Sequence, residues 1–249
     1  MNAVTDYTLH LADNSLILGQ RNSEWCGHGP VLEQDIAITN ISLDLIGQAR
    51  NFYQYAAGLI GGITTEDSLT YLRKEREFKN CLLVEQPNSD WAQTILRQFF
   101  FSQYQYLLFE QLQHSKDEQL AAIAEKSLKE VTYHLRWSSE WVIRLGDGTG
   151  ESHQRVINAI DELWRYTGEL FEVADYEIQA VNDGIGVDIS KLKEPWMSKV
   201  REIFSEATLL IPPKTFMQTG GKTGKHTEHL GYILTELQYM QRAYPGCEW

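Results

Sequence analysis

From Leu120 to Gly146 the chain repeats small and apolar residues at steps of three and four: Leu120, Ala124, Leu128, Val131, Leu135, Ser138, Val142 and Leu145. That spacing puts all of them on one face of an α-helix, so the stretch predicts a long helix that buries this face against others. Gly146 and the turn-forming Asp147-Gly148-Thr149-Gly150 are expected to stop it. One notch round the same helix runs a second stripe: Ser127, Glu130, His134, Trp137 and Trp141. An acid and an imidazole one turn apart, at the edge of an apolar face, are either metal ligands or parts of a buried polar pair. What the chain does turns on which.

The rest of the sequence supplies helices of the same kind. Periodicity predicts helix one over residues 7–24, helix two over 32–58, a short helix over 66–78, helix three over 90–114 with Asp90 as its cap, and helix four from about Asp117. Further helices are expected over 154–179, 194–209 and 227–244. The six prolines fall where this periodicity breaks, and no alternating strand pattern survives for more than a few residues. Helix two is apolar on two faces, one through Ile38, Leu45, Ala49 and Phe52 and one through Leu32, Ile36, Leu43, Ile46 and Tyr53. That predicts a central position for it. Four helices of roughly 18 to 28 residues are long for a globular domain and suit near-parallel bundle packing. The long connection between helices two and three suits a crossover. The expected fold is all-α: one domain over residues 1–249, a ferritin-like four-helix bundle with additional C-terminal helices.

Charge and cysteine usage exclude several classes. A formal net charge of −12 argues against binding nucleic acid or an anionic membrane surface. The N-terminal residues hold no apolar block, and the longest weakly polar run, residues 56–63, is too short and glycine-rich to span a bilayer. Three scattered cysteines, Cys26, Cys81 and Cys247, predict free thiols in a reducing cytoplasm and no zinc site.

A di-iron bundle needs one Glu from each of two helices and a Glu-x-x-His from each of two others, all pointing inward. Helix four offers Glu130, but Tyr133 stands where the histidine belongs, and His134 is displaced by one position. Helix two offers Asp44-x-x-Gly47, an acid one methylene short followed by a residue that cannot ligate. Helix one has Asp13, with His10 a turn before it. Helix three has Gln93, Gln98, Gln103 and Gln105 between Trp91 and Phe109, but no Asp or Glu. By inventory a complete site cannot form. Asp44, Glu130 and His134 read instead as relics of one, kept as a polar network with Gln48 or Arg50.

Two loops carry further candidates. Thr219 to Gly231 sets glycines, Lys222 and Lys225 before a helix start, where free N–H groups and the helix dipole favour an anion. The glycine spacing is not that of a Walker loop. Lys222, Lys225 and His226 are therefore expected to meet an anion or a partner's acid, with plain packing of the loop as the competing expectation. In Trp25-Cys26-Gly27-His28-Gly29-Pro30, a Cys–His nucleophile pair competes with a tight glycine turn beneath an inward Trp25, and the turn is preferred.

With those residues in view, the chain resembles the structural C subunits of ring-1,2-phenylacetyl-CoA epoxidases, which are bacterial multicomponent oxygenases. The resemblance rests on Glu24 to His28, Leu43 to Phe52, Leu83 to Asn88, Lys129-Glu130 with Tyr133 to Arg136, Leu163 to Arg165, Thr219 to Gly231, and Trp249. It implies a ferritin-like fold and no metal or other cofactor in this chain. It also implies a paralogous catalytic partner, the A subunit, that carries the di-iron centre and the acyl-CoA pocket. A small B subunit and a flavin and iron–sulfur reductase would complete the complex. Two rival expectations are a catalytic di-iron oxygenase subunit and a CoA-ester binding module that acts through Lys222 and Lys225.

Overall fold

The computed structural model describes residues 2–247, so Trp249 lies outside the described residues. Among these residues there is no strand. The helices are α1 (Ala3–Ser23), α2 (Leu32–Ile60), α3 (Glu66–Tyr71), α4 (Leu82–Glu85), α5 (Trp91–Leu112), α6 (Glu118–Gly146), α7 (Gly150–Leu163), α8 (Asp175–Asn182), α9 (Lys193–Glu206) and α10 (Glu228–Ala243). Their starts are chemically marked. Asn2 caps α1 by accepting from the Thr5 N–H, Asp90 caps α5 through Gln93, and Asp117 caps α6 through Gln119 and Leu120.

The four long helices, α1, α2, α5 and α6, form the bundle. Side-chain pairs fix their directions. Trp25 meets Thr94, Asn22 meets Gln98 and Ser15 meets Gln105, so α1 runs against α5. Gln34 meets Trp137, Asp44 meets His134 and Gln48 meets Glu130, so α2 runs against α6. Since α5 and α6 form a hairpin, α2 and α5 run the same way. The crossover over residues 61–90 must return along the bundle to make that possible, which is the ferritin-like connection. No helix among the described residues is long and apolar enough to cross a membrane.

The central helix is α5, not α2. Of its 22 residues 17 are buried, among them Phe99, Phe100, Phe101 and Phe109, each contributing about 1.5–3 kcal/mol by leaving water. In α2 the face through Ile38, Leu45, Ala49 and Phe52 is buried. The second apolar face, apart from Tyr53, is not: Leu32 is 72% and Leu43 61% exposed, with Ile36 and Ile46 also open to solvent. Hydrophobicity marks both faces alike; the bundle covers one.

Two expected helices differ in extent, and one element is not among those expected. The span 66–78 is α-helical only to Tyr71 and resumes as a 3₁₀ turn at Glu75–Glu77, because Arg73 between them turns inward to a buried acid. The span 154–179 breaks after Leu163 into 3₁₀ turns, because Glu169 is held by the Leu82 and Gly220 N–H groups. The α4 turn within the crossover, fully buried over Leu82, Leu83 and Val84, has no amphipathic period to announce it. α6 ends at Gly146 as expected, and the glycine has a second part there. Asp147 is the cap, and a Cβ on Gly146 would lie 2.5 Å from the Ala207 carbonyl oxygen. Glycine is needed so that the end of α9 can approach.

Candidate functional site

The inner layer of the bundle, where di-metal bundles place their ligands, holds a string of amides. Gln48 donates to Glu130 Oε2 at 2.9 Å, Gln105 donates to Gln48 Oε1 at 3.0 Å, and Gln105 also reaches Ser15 Oγ at 3.4 Å. One residue from each long helix thus joins a single hydrogen-bonded chain. The expected network of Glu130 with Gln48 is present, whereas Arg50 lies outside it beside Glu66. His134 is buried and meets Asp44 Oδ2 at 3.0 Å through Nε2, while its Nδ1 has no partner among the described residues. The carboxylate fixes the tautomer, so Nε2 carries the proton.

These residues do not fit a di-iron centre. A bridging site needs four carboxylates and two imidazoles converging. Here the position on α5 is the neutral Gln105, that on α1 is Ser15, and the carboxylates of Asp44 and Glu130 each engage a different inward partner. No group of three or more His, Cys, Asp or Glu among the described residues could hold a metal ion. Sequence reasoning finds the missing acid but not Gln48, Gln105 and Ser15 as a string; the signal is glutamines recurring in a helix with no acid.

Buried charge is concentrated instead beneath the crossover. Asp13, the one acid in the middle of α1, accepts from both terminal nitrogens of Arg73, from the Tyr53 hydroxyl and from the Lys79 N–H. The guanidinium also lies 4.1 Å from the Phe78 ring centroid. Glu85, fully buried, accepts from Thr227 N at 2.7 Å, Thr227 Oγ1 at 2.8 Å and Asn80 at 2.9 Å. It also faces His226 Nδ1 at 2.9 Å, while His226 Nε2 faces the Phe78 carbonyl at 3.0 Å. Glu177 receives Lys222 Nζ at 3.1 Å on both oxygens.

The loop from Thr219 is therefore a plug. The expectation that Lys222 meets an anion from outside is corrected: the side chain is buried and bound to Glu177 and to the Glu172 carbonyl. His226 is likewise taken up within the chain. Lys225 is exposed and remains available to a partner. The glycines answer to crowding, since a Cβ on Gly221 would sit 2.3 Å from the Asn80 carbonyl oxygen and one on Gly224 2.3 Å from that of Arg76. In the 25–30 turn, Trp25 donates to Thr94 Oγ1 at 2.9 Å, and the His28 ring faces the Cys26 carbonyl rather than its thiol.

Two buried histidines set opposite pH dependences. His226 has an acceptor at each ring nitrogen and so demands an imidazolium. Burial opposes that charge, but the hydrogen bond and charge of Glu85 outweigh it, and the pKa is raised from 6.5. His10 donates through Nδ1 to the Lys79 carbonyl at 2.7 Å and accepts from Asn14 at Nε2, 3.3 Å away, a neutral ring. Burial, only partly offset by Glu177, lowers its pKa. The contribution of His226 is complete below 6.5 and is lost as pH rises through its raised value. That of His10 is present above 6.5 and is lost as pH falls through its depressed value. The expected result is maximal stability near pH 6.5 in urea unfolding followed across pH 5 to 9. His226→Gln should flatten the alkaline limb and leave the acidic limb; an unchanged alkaline limb would show that His226 does not carry it.

The sequence profile of the family described as "Phenylacetic acid catabolic protein" matches residues 1–249. The chain is also similar to the C subunit of the 1,2-phenylacetyl-CoA epoxidase from Escherichia coli (strain K12), 51% identical over 249 residues and covering 100% of both chains.

Proposed function

Since the chain belongs to the family of phenylacetic acid catabolic proteins, we propose that it is a non-catalytic, structural subunit of a multi-subunit epoxidase acting on phenylacetyl-CoA. The observation that carries this reading is the inner layer of the bundle. Gln48, Gln105 and Ser15 satisfy one another where a metal-binding bundle needs acids. A helix without a carboxylate cannot bridge two irons, so the oxidising centre belongs to the paralogous catalytic A subunit. A small B subunit and a reductase complete the complex, which works in the cytoplasm. This chain itself holds no cofactor. Its role is to support the catalytic partner, and the apolar face of α2 left open by the bundle is suited to that.

Metal content tests the reading. The purified chain is expected to contain no stoichiometric iron, while iron in the assembled complex follows the catalytic partner. Two irons per copy of this chain, with a carboxylate-bridged spectrum, would overturn it. Glu130→Gln should leave turnover per assembled complex near that of the unaltered complex. Loss of turnover from a variant that melts and assembles normally would place chemistry here.

A further inference from the structure

The seam between α2 and α6 is bridged by polar pairs: Gln34 with Trp137, Asp44 with His134, Gln48 with Glu130, and Tyr55 with Asp117. Two of these pairs are half open. Asp44 is bound to His134 through Oδ2, and its side chain is still 36% exposed. Glu130, also half-buried, is bound to Gln48 through Oε2. The remaining oxygens, Asp44 Oδ1 and Glu130 Oε1, accept no hydrogen bond from the described residues. Both lie beside the open apolar face of α2. Leu43 and Ile46 flank Asp44, and a Cβ on Gly47 would meet nothing within 4 Å, leaving a notch on that face.

The apolar residues from Leu32 to Ile46 extend over about 21 Å of helix. Covering them takes a helix of at least that length, which the long helices of this fold, at 21 to 29 residues, supply. Covering the seam would also take two carboxylates out of water. An unpaired buried charge costs several kcal/mol, so a partner that supplied only apolar residues would be repelled. Among the described residues no basic group reaches either free oxygen. We infer that the seam docks a long helix of the complex's other bundle-type subunit, and that an arginine or lysine on that helix binds the free oxygens of Asp44 and Glu130. The former ligand layer is thereby turned into a recognition site for a cation on the partner. The inference rests on the subunit reading above and names the surface that reading requires.

The test uses this chain and the catalytic partner, with affinity measured against salt concentration. Asp44→Asn with Glu130→Gln keeps shape and the inward hydrogen bonds, so melting should stay within about 2 °C of the parent. Affinity is expected to fall by about tenfold or more at low salt, and its dependence on salt to flatten. Leu43→Asp should weaken binding further, and Asp188→Asn, a change in a surface acid outside the seam, should not. If Leu43→Asp weakens binding and the double amide variant does not, the carboxylate inference is wrong while docking on α2 stands. If neither weakens it, the seam is not the interface. If the unaltered chains do not associate at all, the subunit reading itself fails. Should the double variant melt early, Asp44→Asn alone, which retains a carbonyl for His134, carries the same comparison.

Discussion

Asp13→Ala is expected to be the most damaging single substitution in the molecule. The carboxylate is fully buried in the middle of α1, and it is the only carboxylate that the Arg73 guanidinium meets among the described residues. Removing it leaves a buried cation without its anion, a Tyr53 hydroxyl without its acceptor and a Lys79 N–H unpaired. Breaking a buried pair from one side costs about 3–5 kcal/mol, and each orphaned neutral donor about 1–3 kcal/mol more. A domain has about 5–15 kcal/mol in all. The variant should therefore recover mostly in the insoluble fraction, and any folded remainder should unfold at a much lower urea concentration. Asp13→Asn keeps one carbonyl acceptor, enough for Tyr53 or for Lys79 but not both because they bind different oxygens, and should be intermediate. A soluble Asp13→Ala variant with the parent's urea midpoint would mean that Arg73 finds water or another acceptor, and that the cluster is not holding the crossover.

The second large effect is expected at Lys222, and it separates two lysines that the sequence presents as a pair. Lys222 is buried on Glu177, whose other close neighbour, His10, is neutral. Lys222→Ala strands a buried carboxylate and should cost about 3–5 kcal/mol, lowering the melting temperature by several degrees. Lys225→Ala, at an exposed position with no ion pair among the described residues, should change stability by less than about 0.5 kcal/mol. If it matters, it should do so through the affinity of a partner or anionic ligand, most clearly at low salt. Equal melting of the two variants would refute the plug. A rescue experiment adds detail: Lys222→Met with Glu177→Gln removes both charges and should recover part of the loss, because the amide retains the Ala174 N–H.

Much of the bundle is legible in the sequence because its signals are local. The periodic stripes, the cap Asp90 and the expected start near Asp117 place α5 and α6 within two residues of their observed ends. The absence of an acid between Trp91 and Phe109 needs no structure to be read, and it already removes the bridge of a di-iron site. What the sequence hides is long-range. Nothing local says that Glu169 will be drawn to Leu82 and Gly220, breaking the helix expected over 154–179. Nothing local separates Leu43, which faces solvent, from Leu45, which faces the core two residues later. Periodicity reports that a face wants covering; it cannot report whether the cover is the same chain. Lys222 misleads for the same reason. A lysine beside glycines at a helix start looks like an anion trap until Glu177 is found beneath it.

The carboxylates under the crossover also bear on how the chain is made. Glu85 draws on Thr227 and His226, residues 142 and 141 positions later, and Glu169 draws on Gly220, 51 positions later. During synthesis the four long helices are all present once Gly146 has left the ribosome. Yet Glu85 still lacks Thr227 and His226, and Glu169 and Glu177, once they emerge, must wait for Gly220 and Lys222. The bundle can collapse early but can close only when the segment from Gly220 to Thr227 arrives. A chain cut short before Gly220 therefore keeps its apolar core, but Glu85, Glu169 and Glu177 are left with Asn80, the Leu82 N–H and the Ala174 N–H alone, too few donors for three buried acids.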